Sequence, residues 1–443
     1  TKFYEFSTSD LRSAGDVISA AILANKPDWP TIYGLLENAI YGGRVDNEYD
    51  GRILRSYLHK FFNDKILNRT EFLARSLNAP AGNDSYSDHL KLVHSIAPTD
   101  SPELFYLPPN ADRVVQTSRA NKVLDSLRIL AQSTSSSHAE RSGHFNREEW
   151  TTLIGPIILN WKKMTTLDNG SQNPLLFSSS SSQKSNNNNQ TPIDVFVSLE
   201  YQNAKSIVKF IDAALNELND VMRGAILLNS RIEKAASALL VGEVPLAWQD
   251  KWPQGPEFKS ELWLSEVINK TLSLANIWTK KSQEGTLLTD ALELRQLFRP
   301  DILLNALKQQ TARVGKQPVD ELTHLVSIWR DSGNVKVAMS AKIKGLMLQG
   351  AGFDDLMLSE LSSDDAPALL SLPVCQLAWV TKSDYEKMVD HTDAMLKVPV
   401  YFSTTREYTL TEIYLPCGNN ASGKQDASTY ILGGVALFTE SQM

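Results

Sequence analysis

The run TPIDVFVSLEYQNAKSIVKFIDAALNELNDVMRG (191–224) constrains this chain more than any other stretch. Its apolar residues recur at helical rather than strand spacing, which predicts one long helix. A helix of that length draws most of its stability from neighbours that cover its apolar face, so the fold must supply other helices. The flanking sequence offers them. SRIEKAASALLVG (230–242) carries a cap candidate, apolar recurrence and a terminal glycine. FKSELWLSEVINKTLSLANIWTKK (258–281) and PVDELTHLVSIWRDSG (318–333) predict two more helices.

The first 155 residues are also predominantly helical in pattern. DLRSAGDVISAAI (10–22) starts on an acidic cap candidate, WPTIYGLLENAIY (29–41) has Pro30 near its start, and YDGRILRSYLHKFF (49–62) is amphipathic. NRTEFLARSL (68–77) and SDHLKLVHSI (87–96) predict shorter helices, whereas the prolines of SPELFYLPPN (101–110) predict a packed connector. Serine-rich 131–142 reads as a loop, and FNREEWTTLIGPIILNWKKM (145–164) as a helix bent near Gly155 and Pro156. The segment SSSSSQKSNNNN (178–189) has too little hydrophobicity to offset the entropy of ordering and reads as an extended surface insertion.

Past residue 334 the periodicity changes. VKVAMSAKIKGLMLQGAGF (335–353), LPVCQLAWV (372–380), KVPVYFSTTR (397–406), YTLTEIYLPC (408–417) and STYILGGVALFTE (428–440) predict short strands separated by Gly, Pro, Asp and Asn. Together they predict a small sheet or partly closed barrel. The fold class is therefore mainly α with a C-terminal β region.

Composition narrows the function. With 42% hydrophobic and 21% charged residues the chain is ordinary for a globular protein, and a net charge of −7 lacks the basic footprint of a nucleic-acid binder. No apolar stretch reaches the roughly 18 residues of a membrane span. Thr1 in place of an initiator methionine predicts a fragment or a processed chain. Cys375 and Cys417 each sit in an apolar, strand-like context and read as buried free thiols, which fits a reducing compartment.

The most site-like phrase is YGGRVDN (41–47). It lacks the GxxxxGK[ST] spacing, the lysine and the hydroxyl that a phosphate loop requires. It reads instead as a folded corner between helices. Gly42 and Gly43 accept positive φ or close backbone approach, Asp46 and Asn47 bond to turn amides, and Arg44 bridges to a carboxylate or carbonyl. A communication surface and ligand chemistry are the alternatives for this corner.

No catalytic, cofactor-binding or metal-binding residue is predicted. His59, His89, His94, His138, His144, His324 and His391 are dispersed without metal-ligand spacing. Asp354, Asp355, Glu360, Asp364 and Asp365 read as a solvated loop, and no serine has a positioned base. Trp248, Trp252, Trp263, Trp278 and Trp329 read as packing anchors, with a partner surface as the alternative.

The ordered set TKFYEFSTSDLRSAG (1–15), GLLENAIYGGRVDNEYDGRILRSYLHKFF (34–62), PELFYLPPNADR (102–113), PLAWQDKWP (245–253), GLMLQGAGFD (345–354), LPVCQLAWV (372–380), VPVYFSTTRE (398–407) and GGVALF (433–438) resembles the C-terminal portion of a dynein heavy chain. The resemblance extends over nearly the whole sequence apart from the Ser/Asn-rich insertion, which departs from a compact family domain. It implies that residues 1–155 hold the end and helical lid of the sixth AAA+ module, and that 156–190 are a connector. It likewise implies a C-terminal domain with a helical part (191–334) and a small β-barrel part (335–443).

Within the family, LLENAIYGGRVDN, RGAILLNSRIEKAASALL (223–240) and EIYLPCGN…LGGVALF resemble the type that drives retrograde intraflagellar transport. The other cytoplasmic type and the axonemal types are the alternatives, and a nonenzymatic scaffold is the competing class. The resemblance implies ATP-driven movement toward microtubule minus ends, with ATP and Mg²⁺ bound in upstream modules and no cofactor in this segment. Implied partners are the rest of the motor ring, other dynein subunits, microtubules and a second heavy chain; implied locations are cytoplasm, cytoskeleton and cilium or flagellum.

Overall fold

A computed structural model describes residues 4–23, 28–64, 72–74, 77–78, 85–96, 120, 123–124, 126–127, 147–178, 190–253, 255, 259–328, 337–359, 369–391, 395–404, 406, 408–417 and 427–439. The 101–110 connector, the 131–142 loop and nearly all of the 178–189 insertion lie outside these residues. The chain divides into two compact units: residues 1–131, 348–370 and 417–436 form the first, and 132–347, 371–416 and 437–443 the second. Units and expected segments thus divide the sequence differently, since the expected 335–443 block is shared between both units.

In the first unit, Thr8–Leu23, Trp29–Gly34 and Glu48–Phe61 are α-helices, and a π-helical turn spans Leu35–Tyr41. Ala14, Ile32, Leu36 and Leu58 form its buried core, with Trp29, Tyr33, Ile40 and Tyr41 packed around them. Ile32 and Leu36 stand four residues apart, which places both on one helical face. The helix Tyr86–Ser95 begins where the Ser85 side chain accepts the Asp88 amide. The expected 68–77 helix is corrected: Phe72–Ala74 and Leu77–Asn78 pair as antiparallel strands. A ten-residue helix is marginal by itself, and a short hairpin satisfies the same backbone groups locally.

The terminal stretch 428–440 is half corrected. Ala427–Leu432 is a helix and only Ala436–Phe438 is a strand. The turn between them is written in Gly433 and Gly434. Gly434 takes a φ of 69°, Gly434 N–H donates to Ile431 O, and Val435 N–H donates to Tyr430 O, which together close a helix C-terminus.

The second unit is arranged on the helix Pro192–Arg223. Thr191 and Asp194 form a reciprocal capping box at its start, and Gly224 with a φ of 78° ends it. Phe196, Val197, Ala204, Ile207, Val208, Ile211, Leu215 and Leu218 are buried along it. The helices Pro300–Gly315, Ser260–Ser273, Ser230–Leu240 and Gly155–Thr165 all pack against this one element. The predicted bend near Gly155 is a break: Arg147–Leu153 and Gly155–Thr165 are separate helices joined at Ile154.

The C-terminal β region is a nine-stranded sheet. Seven of its nine strands run in the order Leu292–Glu293, Ala341–Lys344, Cys375–Thr381, Leu322–Ile328, Thr409–Pro416, Met395–Tyr401 and Ala436–Phe438, where Val400 pairs with Leu437 and Tyr401 with Phe438 in parallel. The expected 318–333 helix is thereby corrected, because LTHLVSI (322–328) is an interior strand, antiparallel to Cys375–Thr381. Buried Leu325 and Val326 are adjacent in sequence, a pattern that both faces of an enclosed strand accommodate. The helices Pro300–Gly315 and Lys382–His391 have no counterpart in the sequence reading.

One buried acid ties the long helix to its neighbour. Glu200, 4% exposed, accepts the amides of Phe298 at 2.8 Å and Arg299 at 2.7 Å, at the entrance to Pro300–Gly315. Arg299 stands at the cap position of that helix without a side-chain bond to its amides, its guanidinium pairing with Asp301 instead, and Glu200 accepts the Phe298 and Arg299 amides at this entrance. Burial pushes the Glu200 carboxyl above the usual carboxylate range, and the two amides pull the other way. Glu200→Ala is expected to lower stability by about 1–3 kcal/mol by orphaning buried amides. Glu200→Gln, which keeps an acceptor, retains most of that stability. Because the folded value is raised, the wild type has its advantage at acid pH and loses it as pH rises through that value. Urea unfolding of wild type and Glu200→Gln across pH 4–8 checks the sign: the gap should move in favour of Gln as pH rises.

Candidate functional site

The YGGRVDN corner lies in the first unit. The π-helical turn Leu35–Tyr41 runs into a tight turn, Gly42–Arg44, where Val45 N–H donates to Gly42 O at 3.1 Å. Gly42 has a φ of −70°, and Gly43 is not among the positive-φ glycines, so the positive-φ expectation is corrected. Close approach explains Gly42 alone: a Cβ there would collide with the Glu37 carbonyl oxygen, which the widened turn brings underneath it. At Gly43 the nearest atom to an added Cβ is Asn38 O at 3.9 Å, so this position has room.

Arg44 fastens the corner to the N-terminal segment. Its guanidinium donates to Glu5 O at 2.8 Å and to both Asp10 carboxylate oxygens, at 2.8 and 3.1 Å. The Ser7 amide and hydroxyl, and then Arg44, hold the Asp10 carboxyl below the usual range. Arg44 is 49% exposed, so solvent screens the pair and its effect is on geometry more than on stability. Asn47 is the N-cap of Glu48–Phe61, its side-chain oxygen accepting the amides of Tyr49 and Asp50. Asp46 accepts the Tyr4 hydroxyl at 3.4 Å, while Asp50 accepts it at 2.8 Å. Burial and the Asp50 bond push the Tyr4 hydroxyl up to about 12. Across the turn, Arg55 pairs with Glu37, the residue whose carbonyl faces Gly42.

These groups are arranged to hold a backbone. Among the described residues, no group of His, Cys, Asp and Glu could hold a metal ion. His59 packs at a tilt against Tyr33 with ring centroids 4.1 Å apart, and His324 stacks on Tyr385 at 4.3 Å, where burial lowers its pKa. Both cysteines are free and buried, and burial pushes the Cys375 thiol up, away from thiolate chemistry. Trp263 stacks on Trp248 and packs at a tilt against Trp252 inside the second unit, and Trp278 donates to Gln296; all four are buried and serve as packing anchors. Asp354 accepts the Ser359 hydroxyl across a hairpin. Glu360, Asp364, Asp365, His138, His144 and Trp329 lie outside the described residues.

An open cleft of about 380 Å³ in the second unit is lined by Ile157, Met164, Leu262 and Leu264 among others, and the hydroxyl of its Ser265 is bonded to Leu262 O. Sequence reasoning missed Lys270, 2% exposed, which donates to the carbonyls of Arg295 and Leu297 beneath the rings of Trp252 and Phe402. Its signal was present in outline: Glu266 stands four residues earlier on the same helical face.

Gly42→Ala is expected to cost about 1–3 kcal/mol through the forced clash, whereas Gly43→Ala is near neutral. Asn47→Ala costs about 1 kcal/mol through loss of the cap. Urea denaturation, followed by a probe in the first unit, orders the three variants.

Two family models account for the sequence. One described as the AAA lid domain of the dynein heavy chain matches residues 1–111, and one described as the C-terminal domain of the dynein heavy chain matches residues 117–439. The cytoplasmic dynein 2 heavy chain 1 of Tripneustes gratilla is 40% identical and that of Homo sapiens 36%, each over 100% of this chain and 10% of the relative. The cytoplasmic dynein heavy chain of Dictyostelium discoideum is 26% identical over 95% of this chain and 9% of its own length. The chain thus spans about a tenth of the curated relatives it matches. Lid helices, a C-terminal helical bundle with its sheet, and a corner built for holding rather than for chemistry all agree with these matches: the chain belongs to the dynein heavy chain family, of which it carries the AAA lid and the C-terminal domain.

Proposed function

We propose that this chain is the ring-closing and bracing end of a minus-end-directed microtubule motor heavy chain that works in retrograde intraflagellar transport and cilium assembly. The supporting observation is the succession of lid and C-terminal domain matches along the sequence, with relatives named cytoplasmic dynein 2 heavy chain 1 at 40% and 36% identity. A brace acts through shape. The cores of both units and the bonded corner at Arg44 and Asn47 suit that work.

On this reading ATP and Mg²⁺ are held in upstream modules of the parent motor. The partners are the remaining ring modules, other subunits of the complex, microtubules through the parent protein, and a second heavy chain. The parent works in the cytoplasm, on the cytoskeleton and in the cilium or flagellum. Among the described residues no helix is long and apolar enough to cross a membrane.

The isolated chain is expected to turn over ATP at background rate, because YGGRVDN lacks the spacing and the lysine of a phosphate loop; robust turnover by contaminant-free protein contradicts this. In ciliated cells, a parent heavy chain truncated before the position of Thr1 should lose retrograde movement while anterograde movement continues. Unchanged retrograde velocity in the truncated motor overturns the proposal.

A further inference from the structure

The strand Thr409–Pro416 belongs to the sheet of the second unit, and Leu437 and Phe438 pair in that same sheet with Val400 and Tyr401. Between these points the backbone makes an excursion, because residues 417–436 belong to the first unit. Residues 348–370 make a similar excursion and carry the hairpin Gly352–Asp354 with Met357–Ser359. Each excursion therefore begins and ends covalently at the other unit.

Within the first unit the two excursions are interlocked at the level of the backbone. Gly350 has a φ of +83°, and a Cβ on it would lie 2.5 Å from Gly433 O and 2.9 Å from both Gly434 C and Val435 N. A Cβ on Gly433 would in turn lie 2.9 Å from Gly350 O. No larger residue fits this crossing without moving a main chain. Two further contacts secure it: Cys417 bridges Leu358, and the buried Tyr430 hydroxyl donates to Leu358 O at 3.0 Å. The helix Ala427–Leu432, with Tyr430 and Leu432 buried, packs against the lid helix Glu48–Phe61.

We propose that residues 427–435 are a strap that latches the lid: the Gly350–Gly433 crossing holds the helix Ala427–Leu432 against Glu48–Phe61, so that the lid opens only when the crossing opens. The strap lies inside the stretch matched by the C-terminal domain model, yet its structural work is done in the lid. Two elements that open together form one cooperative unit, and here both lie within the first unit.

The test is native-state hydrogen exchange on the full 443-residue chain. Gly433→Ala should speed exchange in the second half of Glu48–Phe61 by about tenfold or more, while amides of Pro192–Arg223 change by less than about twofold. Tyr430→Phe, which removes one bond and little volume, should speed the same lid amides by roughly threefold to tenfold. Gly51→Ala, on the lid helix with nothing near its added Cβ, should slow them. Faster exchange confined to 427–435 with the lid helix unchanged overturns the proposal. If Gly433→Ala does not fold, Tyr430→Phe decides alone, and unchanged lid exchange in that variant overturns it.

Discussion

Covering one long apolar stripe is the requirement from which the second unit follows. The helix Pro192–Arg223 buries residues on a face that runs from Ile193 to Met222, and every helix around it is placed to cover part of that face. The cover is apolar almost throughout, which makes the buried charges Glu200 and Lys270, two of three with Lys205 among the described residues, informative. Glu200 reaches out of the stripe to begin the next helix, and Lys270 gathers two carbonyls where the backbone turns between helices. Each spends its charge on backbone groups that would otherwise be buried without partners. These are devices for fixing the direction of the backbone.

The lid corner uses the same logic at the surface. A π-helical turn delivers the Glu37 carbonyl under Gly42, Asn47 starts the next helix, and Arg44 draws the N-terminal segment across the turn. A corner with these parts transmits position faithfully because each part accepts one geometry. YGGRVDN, without the GxxxxGK[ST] spacing of a phosphate loop, uses its glycine, arginine and asparagine to fix backbone positions.

Much of this was legible beforehand, for physical reasons. The long helix at 191–224, the bonding of Asn47 to turn amides and the strands expected within 372–380, 397–406 and 408–417 lie in local patterns strong enough to survive packing. What was not legible depended on distant partners. LTHLVSI reads as helix until strands on both sides enclose it, and STYIL reads as strand until Gly433 and Gly434 close a helix end. The corner shows the same division. The need for a small residue at 42 is visible as a glycine, but whether φ or a nearby carbonyl requires it depends on how wide the preceding helical turn is. Glu200 is buried by partners about a hundred residues away, the amides of Phe298 and Arg299, and Lys270 by the carbonyls of Arg295 and Leu297, with only the Glu266 spacing to hint at it locally.

The excursion that seats Ala427–Leu432 on Glu48–Phe61 also sets a timetable for biosynthesis. The ribosome makes the lid helix long before it makes the helix that covers it, and at about 5–20 residues per second the interval is tens of seconds. Throughout that interval the uncovered face of the lid helix is available to chaperones and to wrong partners. Completion of the lid helix is therefore governed by the arrival of residues 427–432, and a lesion that delays or removes them leaves a segment made about 370 residues earlier without its cover.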